Sequence, residues 1–125
     1  FSSPNDIDFA LKQHQQLFWC LCPNANLYIE NTLPDVSLLS NSKCSLTIGT
    51  DSLASNSGLS IISEINTILK HQPHIPIELL LNAATYNSAK FLGIENQFGL
   101  LKKGKKCGVN LIEGKTRSYS VKKLA

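Results

Sequence analysis

Cys44-Ser45-Leu46-Thr47-Ile48-Gly49-Thr50-Asp51-Ser52 is the stretch on which the fold class turns. Cys44 to Gly49 carries no charge, then runs into a carboxylate. A short apolar run of this kind predicts a strand buried on both faces, as in a parallel sheet. Phe18-Trp19-Cys20-Leu21-Cys22 repeats the pattern upstream. Pro23 is expected to end that strand, and Asn24-Ala25-Asn26 to open a polar loop. Cys20 and Cys22, two residues apart, would face one side of the strand, where they read as buried, reduced thiols.

Helical signals surround both runs. Ser3-Pro4-Asn5-Asp6 reads as an N-cap, a proline at the first helical position and an acid in the first turn. That helix is expected to reach about Gln16, with Ile7, Phe9, Ala10 and His14 on one face. Pro34 to Ser40 predicts a short helix carrying Val36, Leu38 and Leu39, followed by a turn at Asn41-Ser42-Lys43. Beyond a loose loop at residues 54–58, Leu59, Ile61, Ile62, Ile65, Ile68 and Leu69 recur at helical spacing until Gln72-Pro73. Ile77 to Leu92 predicts another helix, closed by Gly93. From Phe98 onward Phe98–Leu101, Gly108–Ile112 and Thr116–Val121 read as short β segments joined by turns.

The expected class is therefore α/β, with two parallel strands, right-handed crossovers and a small β tail. Two parallel strands alone leave both edges open and both faces thinly covered. The pattern fits the last quarter or third of a larger α/β structure. The sequence contains no methionine, even at position 1, which adds to the expectation of a piece of a longer chain.

Composition narrows the classes. Of 125 residues, 42% are hydrophobic and 17% charged, which excludes a disordered chain. No apolar run approaches the roughly 18 residues that suggest a membrane span, and Phe1 to Asp6 lacks the basic and apolar regions of a secretory signal. Four cysteines are too few for a disulfide scaffold at this length. A reducing, cytoplasmic setting is expected. The net charge of +3 is uneven: residues 101–125 hold eight Lys/Arg against Glu113, the remainder four against eight acids. Tyr119 is the one aromatic in that basic stretch, so a solvated lysine-rich hairpin is expected, not a nucleic-acid surface.

The residues able to do chemistry lie at the carboxyl ends of the two strands, where α/β folds bind ligands. Asp51 follows a strand and a small residue, a position suited to metal ligation or general-base work. It equally suits a cap on the next turn, the commoner use of aspartate there. Asn24 and Asn26 could bond a substrate or, more commonly, hold their own loop. His14, His71 and His74 have no ligand spacing and read as solvent-facing. No phosphate-binding glycine loop or serine nucleophile elbow occurs.

Three segments in order give a resemblance. Cys22-Pro23-Asn24-Ala25-Asn26 resembles a Cys-Pro-x-Ser-Asn motif, with Ala25 in the serine's place. Leu46 to Ser52 resembles the eighth strand of a barrel. Ala84-Thr85-Tyr86-Asn87-Ser88-Ala89-Lys90-Phe91-Leu92-Gly93, followed by Gly99 to Lys105, resembles an Ala-Thr-x-x-x-Ala-x-x-Leu-Gly and Gly-x-x-x-x-Gly-Lys tail, with Asn110 where aspartate is common. Together they resemble the C-terminal portion of the amidohydrolase superfamily, in its cytosine deaminase-like and chlorohydrolase-like branch.

The resemblance implies a (β/α)₈ barrel, of which residues 1–97 would supply the last two strands with their helices. Residues 98–125 would be part of a composite β-sandwich. It implies a metal-dependent hydrolase that removes an amino group from a ring carbon of a small molecule such as a nitrogen heterocycle. The metal, zinc or iron, would be held by upstream histidines and Asp51, which would also help activate water. Ser52 would orient that aspartate. The upstream histidines are not in this sequence, and zinc sites normally need three protein ligands. The isolated chain is expected to hold no metal, to be inert and to self-associate through barrel surface. A non-catalytic barrel relative and a complete small α/β binding module are the other two readings.

Overall fold

The computed structural model describes residues 3–14, 16–42 and 44–124. Lys43, assigned above to a turn, lies outside the described residues. The chain starts with α1 (Pro4–Gln13). Ser3 caps it reciprocally: its hydroxyl accepts from the Asp6 N–H, while the Asp6 carboxylate accepts from the Ser3 N–H at 2.7 Å. The Ser3 hydroxyl, then its backbone N–H, hold the Asp6 carboxyl below the ordinary aspartate range. Helix α1 ends earlier than expected, and its residue in the core is Ile7, while Phe9 stays 67% exposed.

Strands β1 (Phe18–Leu21) and β2 (Ser45–Ile48) pair in parallel, with Cys20 opposite Thr47 and Leu21 opposite Ile48. Between them run α2 (Pro23–Glu30) and α3 (Val36–Asn41). The expected polar loop at 24–26 is thus the first turn of a helix. Pro23 occupies its first position, where the missing N–H costs no hydrogen bond, so the proline that ends β1 also starts α2.

Helix α4 (Ile61–His71) is the central packing element, capped by Ser60 and stopped at Gln72. The next helical stretch is α5 (Ile77–Asn82), a π-helical turn (Ala83–Asn87) and α6 (Ser88–Phe91). A single α-helix was expected. The wider turn brings the Asn87 side-chain amide to the backbone carbonyl of Leu46 at 2.9 Å, on β2. Gly93 follows at φ +70°, the left-handed conformation that glycine supplies at helix ends.

The β tail is shorter than expected. Among its described residues, only β3 (Asn110–Lys115) and β4 (Ser118–Lys123) form strands, an antiparallel hairpin turning at Thr116 and Arg117, both at positive φ. Residues 98–109 are turns and irregular chain. Glycines at 99, 104 and 108 break the apolar run too often for a ladder. The Asn66 side chain on α4 holds the hairpin, donating to the Tyr119 carbonyl at 2.8 Å and accepting from the Tyr119 N–H at 2.9 Å.

One core joins these parts: Leu21, Leu46 and Ile48 from the sheet, Ile65, Ile68 and Leu69 from α4, and Leu80 from α5. β2 is buried along Leu46, Thr47 and Ile48, as expected. β1 is not buried on both sides. Leu21 faces the helices, while Cys20 on the other face is exposed, although its partner Thr47 on that face is buried. Cys22, Cys44 and Cys107 are half-buried, and all four thiols are free.

Replacing the fully buried Leu80 by alanine should lower unfolding free energy by about 2–5 kcal/mol in urea denaturation. Phe9→Ala, at an exposed site, should change it by about 0.5 kcal/mol or less. Equal losses would contradict this assignment of the core.

Candidate functional site

The candidate site lies at the carboxyl ends of β1 and β2, and a side chain from α4 builds it. Glu64 is wholly buried (0% exposed). Its Oε2 accepts from the backbone N–H of Asn24 at 2.8 Å. Its Oε1 accepts from the Asn24 side-chain amide at 2.9 Å and from the Asn56 amide at 2.6 Å. Asn56 also donates to the carbonyl of Thr50 at 2.8 Å. One carboxylate therefore ties the turn after β1 to the loop after β2.

The arrangement answers a local need. Cys22 is the N-cap of α2 and makes no side-chain cap. The orphan amides of the first turn must find acceptors elsewhere, and Glu64 takes one from 40 residues away in sequence. A negative group at a helix N-terminus also meets the positive end of the helix dipole. Asn24 is completed by Thr67, whose hydroxyl donates to the Asn24 side-chain oxygen at 2.6 Å. Asn24 is thereby fully engaged within the fold.

Asp51 stands just past β2 with φ +56°, a left-handed conformation that aspartate tolerates better than most residues. It is exposed. The helix cap of α4 is Ser60, so Asp51 does not serve there. Its carboxylate Oδ2 accepts from the Ser55 hydroxyl at 2.8 Å. Ser52 accepts from the Ala54 N–H at 3.3 Å. The segment 54–58 is accordingly not loose: Ser55 is buried, its N–H and hydroxyl both donate to the Ser52 carbonyl, and Asn56 is held as above.

Asn26 belongs to a different place. It lines a cavity of about 240 Å³ beside β1 with Trp19, Leu33, Pro34 and Leu38. Asn24 and Asp51 are thus linked through Glu64, Asn56 and Thr50, while Asn26 stands apart. His14, His71 and His74 are all exposed. His71 bonds the Thr67 carbonyl at 2.9 Å and His74 the Ser37 hydroxyl at 2.8 Å. Among the described residues, no group of three or more His, Cys, Asp or Glu side chains converges to hold a metal ion. Beside Asp51, burial and then the neighbouring Cys20 thiol push the Cys22 thiol up to about 11.

Glu64, Asn56 and Ser55 were not among the residues singled out by sequence. The sequence does carry a signal for Glu64. It sits at helical spacing from Ile61 and Ile68, a lone carboxylate inside an apolar stripe, and a carboxylate so placed needs buried donors.

The sequence profile of the amidohydrolase family matches residues 1–124. A 5′-deoxyadenosine deaminase of Methanosarcina acetivorans is 33% identical over 118 residues, covering 89% of this chain and 27% of the relative. A 5-methylthioadenosine/S-adenosylhomocysteine deaminase of Moorella thermoacetica is 30% identical over 99 residues, covering 74% of this chain and 23% of the relative. The chain spans about a quarter of the length of these curated relatives. In fold it resembles a zinc-bound adenosine deaminase from Xanthomonas campestris, with a TM-score of 0.74, 24% identity and 89% of this chain but 26% of that one covered. It also resembles the aminofutalosine deaminase of Helicobacter pylori, with a TM-score of 0.76, 22% identity and 94% and 30% covered.

Every partner of Glu64 is a donor, so glutamine cannot replace it. The new amide would set N–H against N–H. Glu64→Gln should destabilise the chain by about 1–3 kcal/mol despite equal size, through a buried donor left without an acceptor. Asp51→Asn, exposed and suited to positive φ, should stay within about 0.5 kcal/mol. Chemical denaturation of both variants checks this, and the reverse ranking would contradict the roles assigned.

Proposed function

The chain belongs to the amidohydrolase family, and from that premise we propose that it forms the C-terminal portion of a metal-dependent hydrolase. In this reading residues 1–97 supply the last two strands of a (β/α)₈ barrel with their helices. Residues 98–125 form part of a β-sandwich shared with the rest of the longer protein. The reaction is hydrolytic removal of an amino group from a ring carbon: water adds, the C–N bond breaks and ammonia leaves. Relatives named as deaminases of adenosine derivatives favour a small nitrogen heterocycle as substrate. The partner is that small molecule, with no nucleic acid or membrane involved, and the compartment is the reducing cytoplasm.

One observation carries the reading. Asp51 is an exposed carboxylate at the carboxyl end of a parallel strand, held at positive φ by a loop anchored on a buried Glu64. Strained, exposed carboxylates so supported are a feature of reactive sites. Asp51 would be a ligand of one divalent ion, zinc or iron, and accept the proton of the attacking water. Ser55 donates to one of its oxygens, Oδ2. Asn24 keeps the facing turn in place and Ser52 is assigned to the substrate loop, while Asn26 stands apart beside β1.

The described residues do not by themselves make a metal site. With no third ligand near Asp51, affinity would fall well below that of a three-ligand centre. No catalytic step is therefore assigned to the isolated chain, which should be inert and hold no stable zinc or iron at Asp51. Leu92, Phe98, Leu100 and Leu101 line or border a cavity of about 380 Å³ between the helices and residues 98–108. Apolar surface of this kind favours self-association of the isolated chain.

The test uses the longer protein and the isolated chain side by side, with ammonia release from adenosine and 5′-deoxyadenosine measured with and without added zinc. The longer protein should deaminate, and its Asp51→Asn variant should lose at least about 10³-fold in kcat while staying folded. The isolated chain should give no ammonia and sediment above 13.7 kDa. Zinc-stimulated turnover by the isolated chain would overturn its inertness. Full activity of the Asp51→Asn enzyme would overturn the role of Asp51, and a monomeric isolated chain would overturn self-association.

A further inference from the structure

We propose that Cys20 and Cys22 form a two-thiol site for a single soft d¹⁰ cation such as Cu(I). The backbone register brings the pair together. Cys20 stands opposite Thr47 in the parallel ladder, and continuing that register sets Cys22 beside Gly49. The Gly49 N–H donates to the Leu21 carbonyl at 2.9 Å, which holds the two chains at this point. Alternation along the chain turns Leu21 into the core and both cysteines to the opposite face, where Cys20 is exposed and Cys22 half-buried.

Gly49 makes the room. A Cβ placed on it would lie 3.0 Å from the sulfur of Cys20 and 3.3 Å from that of Cys22. The two sulfurs thus converge on one point that a glycine leaves empty. Both thiols are free.

Ligand number selects the ion. Zinc in proteins is almost always bound by three or four side chains. Here no third His, Cys, Asp or Glu joins the pair among the described residues. Soft thiolates favour Cu(I), zinc and iron–sulfur clusters, and of these the singly charged d¹⁰ ion is the one satisfied by two sulfurs in line. A direct disulfide fits less well. Residues two apart on a strand have Cα atoms about 6.4–6.8 Å apart, the upper limit for that bond, whereas an intervening ion spans the gap. On binding, two S–H bonds break, two S–Cu bonds form and two protons pass to solvent; nothing is oxidised or reduced.

The inference does not depend on the role of Asp51, though the two sites adjoin. Asp51 follows Gly49 by two residues, so occupancy of the thiol pair would be felt at the Asp51 turn.

The experiment is an anaerobic titration of the chain with Cu(I) against a chromogenic Cu(I) chelator, followed by the near-ultraviolet thiolate-to-copper absorption. One equivalent per chain should bind ahead of any other. Cys20→Ser and Cys22→Ser should each weaken that equivalent at least about 100-fold, some 2.7 kcal/mol. The Cys44→Ser/Cys107→Ser double variant should bind as the parent does. Gly49→Ala, which keeps every thiol but fills the point of convergence, should weaken binding about tenfold or more. Tight binding that survives Cys20→Ser, binding lost in the Cys44/Cys107 variant, or one ion shared between two chains would overturn the site. Circular dichroism of each variant confirms that loss of binding is not loss of fold, and Cys20, exposed on its strand, can be replaced without entering the core.

Discussion

The Glu64 carboxylate is the constraint on which the rest of this structure depends. It is fully buried, it lies on the helix whose Ile65, Ile68 and Leu69 share the core with residues of both strands, and its partners are amides of two separate turns. A buried carboxylate is tolerable when its oxygens are saturated by donors and very costly otherwise. The α2 N-terminus and the Asn56 loop therefore cannot relax independently. Either both sit where Glu64 needs them or the core carries an unpaired acceptor. Because every partner donates, the network has one orientation, and it specifies the register of α4 against the sheet.

In the proposed reading this arrangement separates holding from reacting. Asn24, in the position where a substrate contact was conceivable, spends its hydrogen bonds on Glu64, Ser63 and Thr67. Asp51 is left exposed, with a single side-chain donor, Ser55, on its carboxylate. A rigid support beneath an under-committed carboxylate is what a reactive group requires, since positional error costs rate while solvent access costs nothing here. The fold's free edge is managed in the same economical way, with Asn87 occupying the Leu46 carbonyl from the π turn.

Much of the fold is legible in the amino-acid sequence. The capping box at Ser3 and Asp6, the Ile61–Leu69 stripe and the apolar run ending at Gly49 are local signals, and local signals survive into the folded state. Pro23 misleads because proline ends a strand and begins a helix equally well; only the acceptor supplied by Glu64, 40 residues on, decides between them. The burial of β1 is overestimated for a related reason. An apolar strand predicts two covered faces, and the described residues leave one of them open at Cys20. At the site, Asp51 is visible from its position after a strand. Ser55 and Asn56 are not, since a run of serine and asparagine looks the same whether it is loose or fully bonded.

The most direct test of the central claim is hydrogen exchange at the Asn24 backbone amide, resolved by NMR. Amides in the first turn of a helix lack an intrahelical acceptor and normally exchange fast. If Glu64 holds both turns as one unit, the Asn24 amide should exchange only with global opening, at the rate of core amides such as Ile68. Exchange at the rate of an ordinary frayed first turn would contradict the account, because Glu64 would then not be the clamp that joins the ends of β1 and β2.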